Sequence, residues 1–369
     1  MRSIQNSPIT LLAGPRQCGK TTLAKRIAER KDAVFFDLED PAVPLQKETL
    51  GLTLRGLRGL VVIDECQREP MLFPLLRVLA DRKPLPARFL LLGSASPELA
   101  GRASESLAGR VRHVDMGGFI LEEAGAPAAE KLWLRGGLPI SFLAKSEEES
   151  FRWRLDFIRA HLERDIPALG IRVPAAALRR FWMMLSHVHA QTWNSSDMAR
   201  SMGTQEDTAR RYLDILSGSF MIRQLQPWFE NLGKRLVKAP KIYFRDSGLL
   251  HAFLGLKTRR EMLTFPRLGF SWEGFILEQI IGRFDAERSA YFYKTHAGAE
   301  LDLMILKGGR RYGFEIKYAD APTMTRSMHV ALADLKLKRL WVVYPGTRRY
   351  KLSNLVEALP SSELAALKI

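Results

Sequence analysis

Short apolar runs alternate with amphipathic segments through the first 125 residues of the chain. The runs cover residues 9–13, 33–38, 60–63 and 88–93. They lack the apolar–polar alternation of half-exposed strands, which is typical of parallel strands covered on both faces. The segments that begin at Thr22 and at Met71 repeat apolar residues every three or four positions and predict helices. Residues 1–125 are therefore predicted to form an α/β domain around a doubly wound parallel sheet.

The pattern becomes helical after residue 125. Residues 126–173 predict a helical linker, with a long charged helix from Glu147 to about Glu163 that residues 164–167 terminate. Residues 174–240 hold three helical segments with a turn at Gly203 before the third, which predicts a winged helix-turn-helix domain.

Residues 241–369 return to strand-like patterns and predict a separate α/β domain. Residues 299–306 and 312–318 alternate like half-buried strands. Between them the pair Gly308-Gly309 predicts a tight hairpin turn, because glycine tolerates the positive φ that such turns require. This turn would make Asp302 face Glu315 and Glu300 face Lys317.

Charge and composition narrow the classes of function. The 369 residues predict two or three domains, and a net charge of +16 with a pI near 10.0 favours a polyanionic partner, either nucleic acid or an anionic membrane surface. No apolar run approaches the roughly 18–20 residues of a spanning helix. The N-terminus does not read as a cleavable signal, so we expect a cytoplasmic protein. Two cysteines are too few for a disulfide framework or a structural zinc site.

A phosphate-binding motif lies between the first apolar run and the first helix. Residues 14–21 match G-x-x-x-x-G-K-[ST] at every fixed position. The predicted nucleotide-binding residues are Gly14, Pro15, Arg16, Gln17, Cys18, Gly19, Lys20, Thr21 and Thr22. Backbone N–H groups and the helix N-terminus would face a polyphosphate there. Lys20 would reach the outer phosphates, and the Thr21 hydroxyl would bind Mg²⁺.

Two acids end the third apolar run, where parallel strands present ligand sites. Asp64 is the candidate partner of Mg²⁺, and Glu65 is the candidate base that polarises the attacking water. Ser94 ends the next run and is placed either to contact the γ-phosphate or the water, or to cap a following helix. Arg110 is a candidate arginine finger toward a neighbouring subunit; a solvated arginine or an internal salt bridge explains it equally well.

The predicted hairpin carries a second constellation. Asp302, Glu315 and Lys317 match the D…(D/E)-x-K arrangement of metal-dependent nucleases, and Glu273 on the preceding helix would add an acid. Two carboxylates about 4.5–5.5 Å apart repel each other and favour a divalent cation between them, while the lysine steadies a hydroxide or a scissile phosphate. The alternative is an edge hairpin whose Glu–Lys pairs only provide solubility.

The helix-turn-helix segment also has two interpretations. Arg210 and Arg211 on its third helix are candidates for contacts with DNA, unless the unit packs as a lid or interaction module. The following basic run is either a phosphate track or a solvated face. It comprises Lys234, Arg235, Lys238 and Lys241.

Taken together, these segments resemble a bacterial and archaeal family of AAA-type P-loop ATPases. The resemblance covers nearly the whole chain. Its carrying segments are residues 13–22, 62–65, 93–96, 106–110, 211–213, 231–238, 246–249, 272–273, 300–302 and 315–317. It implies ATP binding, a winged-helix middle and a C-terminal domain with the restriction-endonuclease-like fold of PD-(D/E)XK nucleases.

The function predicted from the sequence is Mg²⁺-dependent ATP hydrolysis that controls a DNA-binding C-terminal half, with DNA cleavage if its carboxylates are active. DNA, and a second copy of the chain, are the expected partners. The alternative is an ATPase with a catalytically inactive C-terminal interaction or regulatory module. A sugar or small-molecule kinase is a third interpretation, in which the basic surface has no role.

Overall fold

A computed structural model describes residues 2–40, 49–94, 107–230 and 236–369. Contacts between residues divide the chain into two compact units, Met1–Gly117 with Gly218–Phe220, and Gly118–Ser217 with Met221–Ile369. The sequence-based assignments to Lys234 and Arg235, and to the segments beyond Ser94 and before Leu107, lie outside the described residues. The same holds for the side chain of Ser94.

The first unit is built on one parallel sheet. Its strands are β1 (Ile9–Gly14), β2 (Val34–Asp37), β3 (Gly59–Asp64), β4 (Ala87–Ser94) and β5 (Val111–Asp115). Its helices are α1 (Arg2–Asn6), α2 (Lys20–Lys31), α3 (Leu50–Gly56) and α4 (Leu72–Ala80), with a 3₁₀ turn at Cys66–Arg68. The strand order is β2-β3-β4-β1-β5, and every pairing is parallel.

Alternate residues of each central strand enter cores on opposite faces of this sheet. On one face Leu11, Val61 and Leu91 pack with residues of α3 and α4. On the other face Leu12 and Val62 pack with residues of α2. Burial on both faces explains why the strands read as unbroken apolar runs, and it confirms the predicted doubly wound parallel sheet.

The second unit begins with helices. Their bounds are α5 (Leu121–Ala124), α6 (Ala129–Arg135), α7 (Pro139–Leu143), α8 (Glu147–Ala160), α9 (Ile166–Ala168), α10 (Ala175–His187), α11 (Ser195–Met202) and α12 (Glu206–Gly218), with a 3₁₀ turn at Ala126–Ala128. The prediction that residues 164–167 terminate the charged helix is wrong. The chain instead widens into a π turn at His161–Asp165 and continues for three more residues as α9, which contains Pro167.

A small sheet joins segments that are distant in sequence. Strands β6 (Gln191–Thr192), β7 (Ile222–Leu225) and β8 (Lys241–Phe244) pair antiparallel in the order β6-β8-β7. Between them α11 starts at the side chain of Asn194, which accepts two backbone N–H groups, and ends at Gly203 with φ 67°. Glycine tolerates this left-handed conformation, so the predicted turn is confirmed.

The C-terminal part holds a six-stranded sheet. Its strands are β9 (Ala290–Lys294), β10 (Glu300–Lys307), β11 (Arg310–Ile316), β12 (Arg339–Tyr344), β13 (Tyr350–Lys351) and β14 (Val356–Pro360). The helices around it are α13 (Ser247–Phe253), α14 (Arg259–Leu263), α15 (Leu268–Phe284) and α16 (Arg326–Leu335), with a final 3₁₀ segment at Ser361–Ala366. The order is β13-β14-β12-β11-β10-β9, antiparallel from β9 to β11 and parallel from β11 through β12 to β14.

The predicted hairpin register is confirmed between Leu303–Lys307 of β10 and Arg310–Phe314 of β11. Leu303 pairs with Phe314, and the turn residues Gly308 and Gly309 have φ of 57° and 72°. The predicted Glu300–Lys317 pairing is not in this ladder. The ladder starts at Leu303, so the predicted Asp302–Glu315 pair also lies outside it, and Glu300 pairs with Lys294 of β9 on the other edge of β10.

Helices cover both faces of this sheet. Leu303, Phe314 and Trp341 pack with the apolar face of α15, whereas Met304 and Val342 pack with α16. None of the helices within the described ranges has the length and apolarity needed to cross a bilayer.

Candidate functional site: an ATP-binding loop and a carboxylate cluster

The phosphate loop connects the end of β1 to the start of α2. Gly19 precedes the helix with φ 101°, and Gln17 also has positive φ, 61°. At Gly14 a Cβ atom would lie 2.1 Å from the carbonyl oxygen of Met116. Real Cβ contacts of that length do not occur, so this position requires glycine for space.

Lys20 is the first residue of α2 and is only 6% exposed. Its ammonium group donates to the carbonyl oxygens of Gly14 at 3.0 Å and of Pro15 at 2.7 Å. The lysine side chain is therefore held against the loop by hydrogen bonds to two backbone carbonyl oxygens. A phosphate oxygen would replace these neutral acceptors with a negatively charged one, which adds Coulomb attraction to the hydrogen bond.

The hydroxyl of Thr21 donates to Asp64 Oδ2 at 2.6 Å. The other oxygen of Asp64, which is 3% exposed, accepts the backbone N–H of Glu65 at 2.9 Å. Strands β1 and β3, which lie on either side of β4, thus bring the loop and the acid together, as we expected from the position of Asp64 at the end of its strand. A hydroxyl and a carboxylate in contact are oxygen ligands of the kind Mg²⁺ uses beside a bound nucleotide.

Glu65 lies directly after β3 with φ 52°, a left-handed conformation that is uncommon for glutamate. The side-chain Nε2 of Gln67 donates to Glu65 Oε2. The side-chain Oε1 of Gln67 is buried and has no hydrogen-bond partner among the described residues. Sequence reasoning missed Gln67, because nothing in its local pattern marks a residue that orients an acid two positions earlier.

The other predicted residues of this site have mixed placements. Arg16 lies 4.0 Å from Glu39, and Thr22 is exposed on the first turn of α2. Arg110 makes two bonds to Asp81, of 2.6 and 2.8 Å, which is the internal salt bridge that the sequence left open. Its role as an arginine finger stays a prediction.

Both cysteines are reduced and buried. Burial raises the pKa of the Cys18 thiol, and burial together with the charges of Glu65 and Asp64 raises that of Cys66. Neither thiol is therefore activated as a nucleophile.

Comparisons with known proteins agree with this geometry. Residues 6–125 match the family described as an AAA domain. The uncharacterized protein Rv2008c of Mycobacterium tuberculosis (strain ATCC 25618 / H37Rv) is 50% identical over 363 residues, which are 98% of this chain and 82% of that protein. The uncharacterized protein Mb2031c of Mycobacterium bovis (strain ATCC BAA-935 / AF2122/97) matches equally well. The chain belongs to this family of AAA-type P-loop ATPases.

The rest of this ATPase matches families described only as domains of unknown function. Residues 127–260 match DUF8612, and residues 268–364 match DUF4143. Among solved structures, the Walker-type ATPase PABY2304 of Pyrococcus abyssi is 15% identical, with a TM-score of 0.44 over 69% of this chain and 93% of that one. PCH-2 of C. elegans is 13% identical, with a TM-score of 0.23 over 56% of this chain and 61% of that one.

The carboxylates of the C-terminal sheet surround Lys241, a residue to which the sequence analysis gave no role in this cluster. Lys241, the first residue of β8, is 2% exposed, although the sequence offered a phosphate track or a solvated face for it. Its Nζ lies 3.0 Å from Glu273 Oε1, 2.5 Å from Glu300 Oε1 and 3.9 Å from Asp302 Oδ1. Lys241 therefore belongs neither to a phosphate track nor to a solvated face. Lys238 is exposed, so both interpretations stay open for that residue.

Each carboxylate of this cluster has further partners. The Tyr243 hydroxyl donates to Glu273 Oε1 at 2.6 Å, and the backbone N–H of Ile316 donates to Asp302 Oδ2 at 2.8 Å. Lys317 lies 2.8 Å from Glu315 Oε1. The other oxygen of Glu315 is buried and has no hydrogen-bond partner among the described residues.

Burial raises the pKa values of Glu273 and Glu315, whereas the charges of Lys241 and Lys294 outweigh burial and lower the pKa of Glu300. Desolvation raises the pKa of Glu273 to about 7, against the attraction of Lys241. Desolvation and the charge of Asp302 raise the pKa of Glu315 to about 8, against the attraction of Lys317. The pKa of Lys241 is held well above its usual value, because the surrounding oxygens outweigh the cost of its burial.

The predicted acids Glu273, Asp302 and Glu315 do share one region, but they do not fit a divalent metal. Lys241 already lies within ion-pair distance of Glu273 and Asp302. Within the described ranges, no group of three or more histidine, cysteine, aspartate or glutamate side chains is arranged to hold a metal ion.

Proposed function

We propose that this AAA-type ATPase hydrolyses ATP with Mg²⁺ and that its nucleotide state controls DNA binding by the half of the chain after residue 117. The observation that carries the ATPase part is the hydrogen bond from Thr21 to Asp64. It brings the loop hydroxyl and the acid that ends β3 to one point, where a magnesium-bound triphosphate needs both.

The residues of this site have separate roles in the proposal. Lys20 binds the outer phosphates, and Thr21 with Asp64 would hold Mg²⁺, which when bound neutralises charge on the phosphates. Glu65 accepts a proton from the attacking water, and Gln67 holds the Glu65 carboxylate in place. Ser94 remains a proposed γ-phosphate contact. Arg110 is proposed to serve a neighbouring copy in a homo-oligomer once it leaves Asp81.

Charge and element order support DNA binding. Residues 118–369 carry 38 lysines and arginines against 27 acids, which is +11 of the net +16. The order helix, short strand, two helices and β-hairpin in α10 to β8 is that of a winged helix, with α12 as the candidate recognition helix. Arg211 on α12 is exposed, whereas Arg210 is engaged by Glu206 at 3.1 Å and Asp207 at 3.7 Å.

DNA affinity, measured by fluorescence anisotropy with a labelled duplex, tests this proposal. We expect the affinity to fall steeply with salt and to change when ATP and Mg²⁺ are added. Arg211→Ala should lower the affinity, and the slope of the logarithm of the binding constant against the logarithm of the salt concentration should decrease in magnitude by about 1. Arg159→Ala, which removes another exposed arginine, serves as the matched control. Lys20→Ala should retain DNA binding and lose its dependence on ATP. Absence of DNA binding even at low salt would reject DNA as the partner.

A second candidate for the C-terminal half is a non-cleaving interaction or regulatory module. The order of α15, three antiparallel strands, α16 and the parallel strand β12 supports a restriction-endonuclease-like fold. The position of Lys241 among the acids nevertheless favours an inactive site. Incubation of DNA with the protein and Mn²⁺ distinguishes this non-cleaving module from an active nuclease. Only DNA cleavage that Asp302→Ala abolishes would support the nuclease.

A further inference from the structure

A buried lysine lies at the point where a nuclease-like sheet would carry its metal. We propose that the ammonium group of Lys241 is a built-in cation, which holds the carboxylates of the C-terminal sheet together and takes the place of a divalent metal ion. This inference goes beyond ATP hydrolysis and DNA binding. It depends on the geometry of the second unit alone.

The surroundings of Lys241 support a permanent role. Lysine is almost never fully buried unless it is paired, and the Lys241 side chain is 3% exposed. Its three N–H donors face Glu273 at 3.0 Å, Glu300 at 2.5 Å and, more distantly, Asp302 at 3.9 Å. The ammonium thus occupies a position surrounded by oxygens from α15 and from β10.

The charge balance leaves little attraction for a divalent ion. Glu273, Glu300, Asp302 and Glu315 carry at most four negative charges. Lys241, Lys294 and Lys317 contribute three positive charges, with Lys294 at 2.7 Å from Glu300 and Lys317 at 2.8 Å from Glu315. A dication would change the formal charge of these seven groups from −1 to +1, and it would have to lie beside the buried ammonium of Lys241, which a low-dielectric environment disfavours.

The oxygen ligands are also largely committed. Mg²⁺ and Mn²⁺ prefer about six oxygens in a regular arrangement. One oxygen of Asp302 accepts the N–H of Ile316, and one oxygen of Glu273 accepts both Tyr243 and Lys241. Both oxygens of Glu300 face lysines, at 2.5 Å from Lys241 and 2.7 Å from Lys294, whereas Glu315 Oε2 is buried and lacks a hydrogen bond among the described residues.

The backbone prevents Lys241 from withdrawing easily. β8 is the central strand of its sheet, so Lys241 is paired with Thr192 on one side and with Leu225 on the other. The next residues, Ile242 and Tyr243, are fully buried. The backbone of Lys241 is therefore fixed within a packed strand, so that the ammonium group can leave the cluster only by rotation of its side chain.

Counting bound Mn²⁺ by electron paramagnetic resonance, on the full chain without nucleotide or DNA, tests the proposal. Wild-type protein and Asp302→Asn should bind the same number of Mn²⁺ ions. Lys241→Met, which keeps an unbranched side chain one atom shorter and removes its charge, should bind one additional ion. Lys241→Met/Asp302→Asn should lose that ion, and Lys241→Arg should not gain it.

Two results would overturn the proposal. One is wild-type binding of a Mn²⁺ ion that Asp302→Asn removes, because the native cluster would then hold a metal beside the lysine. The other is a folded Lys241→Met protein that gains no ion. If Lys241→Met does not fold, the comparison between wild-type protein and Asp302→Asn still decides, because it needs no change at Lys241. Any Mn²⁺ bound at the phosphate loop is common to all these proteins and cancels.

Discussion

At the scale of single residues, each of the two candidate sites contains a buried lysine, Lys20 in the phosphate loop and Lys241 in the carboxylate cluster. Lys20, Thr21 and Asp64 were predicted from two short motifs, and the structure brings Thr21 and Asp64 into contact. Lys241 was not recognised, because a lysine in a basic run has the same local pattern whether it is solvated or buried. Its acids lie 32 to 61 positions later in the chain.

Gly14 allows a prediction at this scale. Gly14→Ala places a methyl group 2.1 Å from the carbonyl oxygen of Met116, so the backbone of the loop must shift. We expect the free energy of unfolding to fall by about 1–3 kcal/mol, as in other overpacked sites, and ATP affinity to decrease. Urea denaturation and nucleotide titration measure the two effects.

Gly56→Ala is the matched control for Gly14→Ala. Gly56 ends α3, and a Cβ atom there would meet nothing within 4 Å. Its substitution should leave ATP affinity unchanged and alter stability by less than about 1 kcal/mol. Equal ATP affinities for Gly14→Ala and wild-type protein would show that this close approach does not shape the loop.

At the scale of elements, apolar runs and turn residues predicted most helices and strands, but only one of the strand pairings. The strands of the first unit were recognised because burial on both faces removes polar residues from them. The β10–β11 register followed from the two turn glycines. By contrast, β6 and β8 are separated by almost fifty residues, and no local pattern shows that they pair. The continuation of the charged helix through a π turn was missed for the same reason.

Two buried histidines packed among these elements predict a pH dependence of stability. Desolvation, assisted by the charge of His251, lowers the pKa of His189 to about 3, and Arg267 and Lys241 act in the same direction. Desolvation lowers the pKa of His251 to about 4, with a contribution from Arg154. Both rings are therefore neutral in the folded protein at pH values where an unfolded chain already protonates them, near 6.5.

The sign of the effect follows from proton binding. Between pH 6.5 and about 4 the unfolded state binds more protons, so these histidines make stability fall as the pH falls. Each histidine contributes at most about 1.4 kcal/mol per pH unit. Urea denaturation at several pH values gives the free energy of unfolding as a function of pH. This free energy should depend less steeply on pH in His251→Gln than in wild-type protein, and equally steeply in the exposed control His296→Gln. A slope that is equal in wild-type protein and His251→Gln would contradict this assignment.

At the scale of the whole molecule, the chain combines a unit that matches an AAA domain with a second unit whose matching families have no assigned function. Composition indicated the excess of positive charge after residue 117, but it did not show which lysines are buried. The strand order β2-β3-β4-β1-β5 also depends on tertiary contacts, although the alternation of strands and helices was enough to predict a parallel sheet.

Steady-state ATP turnover is the measurement that tests the central claim most directly. Wild-type protein with Mg²⁺ should hydrolyse ATP, and Lys20→Ala should lose both nucleotide binding and turnover because the phosphates lose their buried cation. Glu65→Gln should still bind ATP but lose turnover by about 100-fold or more, since amide nitrogen and oxygen cannot accept the proton of the attacking water. Turnover that is the same in wild-type protein, Lys20→Ala and Glu65→Gln would contradict the account.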